Sequence, residues 1–367
     1  MTARPTATRS AAEEPGQGRA GEDGPLDLVG VGSALVDLTA QVQPEDLAAL
    51  GLEPGTMTLV DEAGAGRLAE AVRPEARSSG GSVANTVVGV AALGGRAGFL
   101  GCTGDDELGR VFRQDLAAAG VVLGDGAPRA GGATGRCLVL VTPDGQRTMA
   151  TFLGVATDLR PEDLDPKVLR RAAVVYLEGY LLDVPGAAEL LERAVALAHE
   201  GEAAVALGLS DPLLVARHRD RLLGLLEAGS VDVVVGNAEE ARALAGSRDQ
   251  ETALGFLEEL GVLGAVTLGE EGAVVVAPED RYRVPARPVP VVDTTGAGDL
   301  FAAGFLYGLA RGAGPGDAAR LGTAAAATVL GHLGGRPEGD LRALVAEVLG
   351  APAPAQGASS GSGSGGR

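Results

Sequence analysis

Tryptophan is absent from this chain, and the aromatic residues make up only 3% of it. That scarcity speaks against an aromatic platform for stacking nucleic-acid bases. Positive charge is scarce as well: 30 Lys and Arg face 49 Asp and Glu, a formal charge of −19. A binder of the phosphate backbone needs a basic face, so the balance argues against that class. The two cysteines, Cys102 and Cys137, are too few for a disulfide framework or a zinc cluster. They read as small buried apolar residues in a reducing, cytoplasmic setting. The three histidines are dispersed and no H-E-x-x-H occurs. There is no G-x-x-x-x-G-K-S/T loop, and Gly30-Val31-Gly32-Ser33-Ala34-Leu35 lacks the third glycine of the dinucleotide fingerprint. Residues 1–25 contain no apolar run of signal-peptide type. The longest uncharged stretch before the C-terminal tail, residues 78–95, holds five glycines and several polar residues, unlike a membrane span.

What is present, in 367 residues, is enough chain for a sizeable core. Residues 1–25 are rich in Ala, Gly, Glu, Pro and Arg without periodicity and read as a disordered leader. Residues 351–367 read as a flexible Gly/Ser tail. Between them, short apolar runs near residues 26–42, 97–101, 174–177, 203–209, 231–235 and 265–268 are mostly separated by segments of helical period. This alternation predicts an α/β fold, a mainly parallel sheet covered by helices on both faces. Residues 137–141 and 148–152 flank Pro143-Asp144-Gly145, a hairpin signal that breaks the alternation. With the early strands it predicts a small accessory sheet.

The stretch Asp293-Thr294-Thr295-Gly296-Ala297-Gly298-Asp299 carries the most chemistry. It follows the apolar run of residues 289–292 and precedes Phe301, Phe305, Leu306 and Leu309 at helical spacing, so it is expected at a strand-to-helix junction. Glycines there let the backbone approach a ligand, and free N–H groups at a helix start form an anion hole. A carboxylate in that first turn suits phosphoryl transfer to an alcohol, taking the hydroxyl proton while the N–H groups stabilise the transferred group. Read alone, Gly-Ala-Gly-Asp is equally a capped Gly-rich turn.

These seven residues resemble the second signature of the ribokinase-like (PfkB) carbohydrate and nucleoside kinases. The first signature is matched by Gly80-Gly81-Ser82-Val83-Ala84-Asn85, running on through Leu93-Gly94-Gly95 to Gly104-Asp105-Asp106-Glu107-Leu108-Gly109. The likeness spans roughly residues 26–349. It implies a single kinase domain over 26–350 with a ribokinase-like fold and an inserted β lid at about 35–62 and 130–153. Segments such as Ser33-Ala34-Leu35-Val36-Asp37, Tyr176-Leu177-Glu178-Gly179-Tyr180 and Leu209-Ser210-Asp211-Pro212 resemble the bacterial adenosine-kinase-like branch.

The resemblance implies roles residue by residue. Asp299 corresponds to the catalytic base, and Gly296, Ala297 and Gly298 to the anion hole. Asp37, Gly81, Ser82 and Asn85 correspond to the positions holding the sugar hydroxyls, and Arg147 to an arginine that reaches the transferred phosphate when a lid closes. Asn237 and Glu240 match an Asn-x-x-Glu element organising hydrated Mg²⁺ and the ATP phosphates. Thr267, Gly269 and Gly272 match the loop beneath the ATP ribose and phosphates, with residues 324–332 on the helix over the adenine. A monovalent cation such as K⁺ is allowed near Asp293 and Thr295. Alone, Asp37 is also a strand-end turn residue, Asn85 a helix-start residue, Asn237 a helix cap and Arg147 a solvated hairpin residue. The implied reaction is ATP-dependent phosphorylation of a nucleoside 5′-hydroxyl, adenosine first, with Met57, Leu59, Leu138 and Phe152 as candidate walls for the base. Two other readings stay open: a ribose or fructose kinase, and a non-catalytic ligand-binding protein. The implied partners are small molecules, not nucleic acid or membrane, in a monomer or homodimer.

Overall fold

The computed structural model describes residues 24–350 except 127, 144 and 279. The expected tail, nearly all of the expected leader, and the hairpin's Asp144 lie outside them. The strands run in chain order as β1 Leu26–Val31, β2 Leu35–Gln41, β3 Met57–Leu59, β4 Ala76–Gly80, β5 Ala97–Leu100, β6 Val122–Leu123, β7 Gly135–Val141, β8 Arg147–Phe152, β9 Ala172–Glu178, β10 Ala204–Gly208, β11 Val233–Asn237, β12 Leu263–Thr267, β13 Ala273–Val276 and β14 Arg281–Val284.

Nine of them form one sheet in the order β14-β13-β12-β11-β10-β9-β1-β5-β6, and the other five form a second in the order β3-β8-β7-β2-β4. From β12 to β6 the large sheet is parallel; β13 alone is reversed, pairing antiparallel with both β12 and β14. Side chains alternate across it: Val29, Val31, Val175 and Leu177 join the apolar cluster on one face. Leu28, Val174 and Tyr176 join that on the other. Burial on both faces explains why these strands read as unbroken apolar runs.

In the second sheet β2 pairs parallel with β7 and antiparallel with β4, while β7 and β8 form the expected hairpin. Strand β4 lies outside both segments expected for this sheet. It is Ala-Arg-Ser-Ser-Gly, without apolar alternation, and is defined by its pairing with β2 rather than by its own pattern.

The helix Ala297–Ala310 is apolar around nearly its whole girth, with Leu300 to Gly308 buried. It packs on the helix Pro315–Val329 where Gly304 meets Gly322: a β-carbon on Gly304 would lie 2.6 Å from the Leu321 carbonyl oxygen. On its other side it meets the helix Ser82–Ala92, where Gly89 leaves room for Leu300 and Ala303. This contact brings the N-terminal turns of both helices together.

Candidate active site

The loop leading to Asp299 differs from expectation. Residues 289–292 form no strand. Pro288 and Pro290 lack the N–H a ladder requires, Val291 and Val292 are exposed, and the chain is instead tied by the Val292 N–H donating to the Leu330 carbonyl at 2.7 Å. The Asp293 carboxylate then gathers the turn, accepting from the Thr295 N–H at 2.9 Å and the Gly334 N–H at 2.8 Å. Gly296 caps the helix at φ 75°, and a β-carbon there would lie 2.4 Å from the Gly335 backbone. Only glycine satisfies both the left-handed conformation and that contact. Of the expected anion hole, Ala297 gives its N–H to the Thr294 carbonyl at 3.3 Å. The N–H groups of Gly298 and Asp299 belong to the first turn, where a helix offers no acceptor of its own. Gly298 is exposed, with nothing within 4 Å of where a β-carbon would sit.

Asp299 is half-buried and held by both of its oxygens. The Ser82 hydroxyl donates to Oδ1 at 2.7 Å, and Asn85 Nδ2 donates to Oδ2 at 2.9 Å. Both donors project from the helix Ser82–Ala92, whose entry is Gly81 at φ 97°, where a β-carbon would lie 2.5 Å from the Ser33 carbonyl oxygen. Burial raises the Asp299 acid above the ordinary carboxylate range; the bonds from Ser82 and Asn85 and the charge of Arg336 act in the opposite direction.

Asp37 reaches the same place from β2. Its carboxylate leans on Gly80, where a side chain would collide at 2.4 Å. Burial raises its pKa to about 6, against the pull of Arg336 and Arg147. A carboxyl whose folded pKa lies above its unfolded value favours folding below the unfolded value, and this contribution is lost as pH rises through about 6. Asp37→Asn is therefore expected to stabilise the fold at pH 8, on the order of 1–3 kcal/mol, because each pH unit separating the folded and unfolded titrations is worth about 1.4 kcal/mol. The gain should vanish below pH 4 while turnover falls. Melting curves at the two pH values check this; a destabilised variant at pH 8 contradicts it.

Register sorts the proposed wall residues. Met57 pairs with Met149 and Leu59 with Thr151; Thr151 in turn pairs with Cys137, the partner of Asp37. Met57, Leu59, Met149 and Cys137 thus share the Asp37 face. Leu138 and Phe152 lie on the opposite face: Leu138 packs beneath the sheet with Leu47 and Leu140, and Phe152 lies under the Arg136 guanidinium.

Arg147, first residue of β8, crosses from the small sheet to the anion loop. Its guanidinium pairs with Asp293 and donates to the Thr295 hydroxyl at 2.6 Å.

Asn237 and Glu240 form a reciprocal cap on the helix Ala238–Ala245. Asn237 Oδ1 accepts from the Glu239 and Glu240 N–H groups at 2.8 and 2.9 Å, and Glu240 accepts from Asn237 N at 2.9 Å and Nδ2 at 2.7 Å. Burial, with Asp211 and Asp299 nearby, raises the Glu240 acid to about 7. Thr267 ends β12 in register with Asn237, on the carboxyl edge of the parallel strands. Gly269 (φ 62°) and Gly272 (φ 96°) bound the short turn that follows. The helix expected over the adenine ends at Val329, and residues 330–335 fold back along the anion loop.

Two residues at this site had no role assigned from sequence. Glu178 ends β9 buried, accepting from the Ser33 N–H at 2.8 Å and the Val83 N–H at 3.4 Å. A carboxylate closing an apolar run at the carboxyl end of a parallel strand was its signal. Arg336 follows Gly334-Gly335 and reaches Asn85, with Nε 3.3 Å from Oδ1.

The pfkB family carbohydrate kinase model matches residues 56–339, well over half the chain. The chain belongs to the pfkB family of carbohydrate kinases. The adenosine kinase of Sinorhizobium meliloti is 41% identical, superposing with a TM-score of 0.82 over 88% of this chain and 99% of that one. A probable sugar kinase from Rhizobium etli is 38% identical, with a TM-score of 0.83 over 88% and 98%. Among curated proteins, the aminoimidazole riboside kinase of Salmonella typhimurium is 33% identical over 63% of this chain and 74% of its own length. As a pfkB kinase the chain is a phosphotransferase that uses ATP and acts on a sugar or nucleoside hydroxyl. No described helix is long and apolar enough to cross a membrane.

Proposed function

We propose that this pfkB kinase phosphorylates the 5′-hydroxyl of a nucleoside, with adenosine the first acceptor to test. The observation that carries the chemistry is the Asp299 carboxylate, fixed by Ser82 and Asn85 in the first turn of a buried helix, beside two N–H groups without helical acceptors. Asp299 takes the hydroxyl proton; the oxygen attacks the γ-phosphorus in line, and the bond to the bridging oxygen of ADP breaks. The N–H groups of Gly298 and Asp299 stabilise the transferred group, with Gly296 setting the turn. Asp37, Gly81, Ser82 and Asn85 hold the ribose hydroxyls. Arg147 exchanges its bonds to Asp293 and Thr295 for the phosphate. Thr267, Gly269 and Gly272 line the ATP side. The choice of a nucleoside rests on the likeness to the Sinorhizobium enzyme and on the apolar side chains of Met57, Leu59 and Met149 sharing the Asp37 face. Sugar kinases stand at comparable identity, so a sugar acceptor is the second reading.

Asn237 and Glu240 fit a magnesium ion that keeps its own waters, since Glu240 is already committed to Asn237 and no cluster of three or more ligating side chains occurs among the described residues. Bound with ATP, magnesium would neutralise phosphate charge. Asp293 fits a monovalent cation poorly: its oxygens already serve Arg147, Thr295 and Gly334. We place the reaction in the cytoplasm, where ATP is supplied and two unpaired, buried cysteines are at home.

The test is ADP release with Mg·ATP against adenosine, guanosine, inosine, cytidine, ribose and fructose, with Asp299→Asn as blank. Preference for adenosine supports the nucleoside reading; turnover of ribose or fructose alone replaces it with the sugar reading. Since Asp299 must be ionised to accept the proton and burial raises its acid, kcat/KM for the acceptor is expected to fall with decreasing pH earlier than an ordinary carboxylate would make it. A profile flat down to pH 4 speaks against Asp299 as the base.

A further inference from the structure

The Arg336 guanidinium lies within electrostatic reach of Asp115, Asp37 and Asp299, and Arg147 also acts on Asp37. Its Nε donates to Asn85 Oδ1, and Asn85 Nδ2 donates to Asp299. The chain Arg336–Asn85–Asp299 therefore fixes which end of the Asn85 amide meets the base: the reverse orientation would set a carbonyl oxygen against the carboxylate and an NH₂ against the guanidinium. The far nitrogen, Nη2, is buried from water and makes no hydrogen bond. An unpartnered buried donor on a charged group is costly, so such groups persist where a partner arrives later.

The backbone that delivers Arg336 is equally specific. Gly335 packs closely on Gly296 and Asn85, where a β-carbon would lie 3.3 Å from the Gly296 α-carbon and 3.0 Å from Asn85 Nδ2, while Gly334 is tied to Asp293. The arginine thus leaves from directly beneath the anion loop.

We infer that Arg336 is a substrate-positioning residue whose Nε orients Asn85 toward the base and whose Nη2 donates to an oxygen of the acceptor beside the reacting hydroxyl. This rests on the kinase reading above and adds a specificity element to it. It favours an acceptor with an oxygen lone pair next to the phosphorylated position, as in a ribose or a ribofuranoside. Desolvation lowers the Arg336 pKa to about 10, so the group stays charged at neutral pH.

The test compares wild type, Arg336→Ala and Arg336→Lys, varying adenosine and ATP separately, with fructose as second acceptor. Expected for Arg336→Ala is an acceptor KM raised about tenfold or more, as for loss of a charged hydrogen bond. KM for ATP should stay within twofold. The acid limb should move to higher pH, because Arg336 no longer favours the ionised form of Asp299. Arg336→Lys restores the limb but not the acceptor KM, since an ammonium keeps the charge and loses the fork. The rise in melting temperature caused by adenosine without ATP should shrink in both variants. If Arg336→Ala does not fold, Arg336→Lys carries the same acceptor test. An acceptor KM within twofold of wild type, or equal increases for acceptor and ATP, overturns the inference. A wild type silent with both acceptors removes the parent reading and this one with it, whereas an active wild type with indifferent variants removes this one alone.

Discussion

Asp299→Asn is expected to lower kcat by about 10²–10⁴-fold, the range for a positioned general base, while leaving the protein folded. The geometry explains why folding survives. An asparagine can turn its NH₂ toward Ser82, whose hydroxyl then accepts, and keep its oxygen toward Asn85 Nδ2. The Asn85 amide need not flip, so its bond to Arg336 is also kept. The substitution removes a carboxylate that burial already disfavours, so the melting temperature should hold or rise. What is lost is the ability to take a proton. Binding of adenosine and of ATP, read by thermal shift, should persist when turnover is gone. Near-normal turnover in a folded variant would remove Asp299 as the base.

The expected parallel sheet matches what the chain builds because its strands are buried on both faces, so each carries its own apolar run. The pattern fails where a strand is made by its neighbours. Strand β4 is small and polar, and only the pairing of Leu35 with Gly80 through Thr39 with Ala76 defines it. The opposite failure occurs at residues 289–292, where valines suggest a strand but alternating prolines deny the ladder its donors. Leu138 and Phe152 show the cost of a period of two: one residue of offset decides which face a side chain joins. Asp299, Ser82 and Asn85 were legible as two local signatures, and their convergence follows from the packing of two helices at Gly89. Arg336 was not legible. Nothing beside it in sequence announces a site; its place depends on a backbone contact between Gly335 and Gly296, 39 positions apart in sequence.

That contact yields the second large expected effect. Gly296→Ala places a methyl 2.4 Å from the Gly335 backbone, in a conformation at φ 75° that costs an L-residue about 1–2 kcal/mol by itself. The obstacle is main chain, so no side-chain rotamer relieves it, and the loop carrying Thr295, Gly298 and Asp299 must move away from the loop carrying Gly334 to Arg336. Both stability and chemistry should suffer: a melting temperature lower by several degrees and kcat down at least 100-fold, as a misplaced reacting group of about 1 Å can cost. Gly298→Ala is the discriminating control. Its β-carbon meets nothing within 4 Å and its φ is not in the left-handed region, so the melting temperature should not change. The methyl enters open space on the turn that carries the first-turn N–H groups; with the transferred phosphate proposed to lie at those groups, it should raise KM for ATP and lower kcat. Equal losses of stability in the two variants would mean that the turn merely tolerates glycine. A destabilised Gly296→Ala beside a stable but catalytically impaired Gly298→Ala would separate the glycine that shapes the loop from the glycine that leaves room for the phosphate.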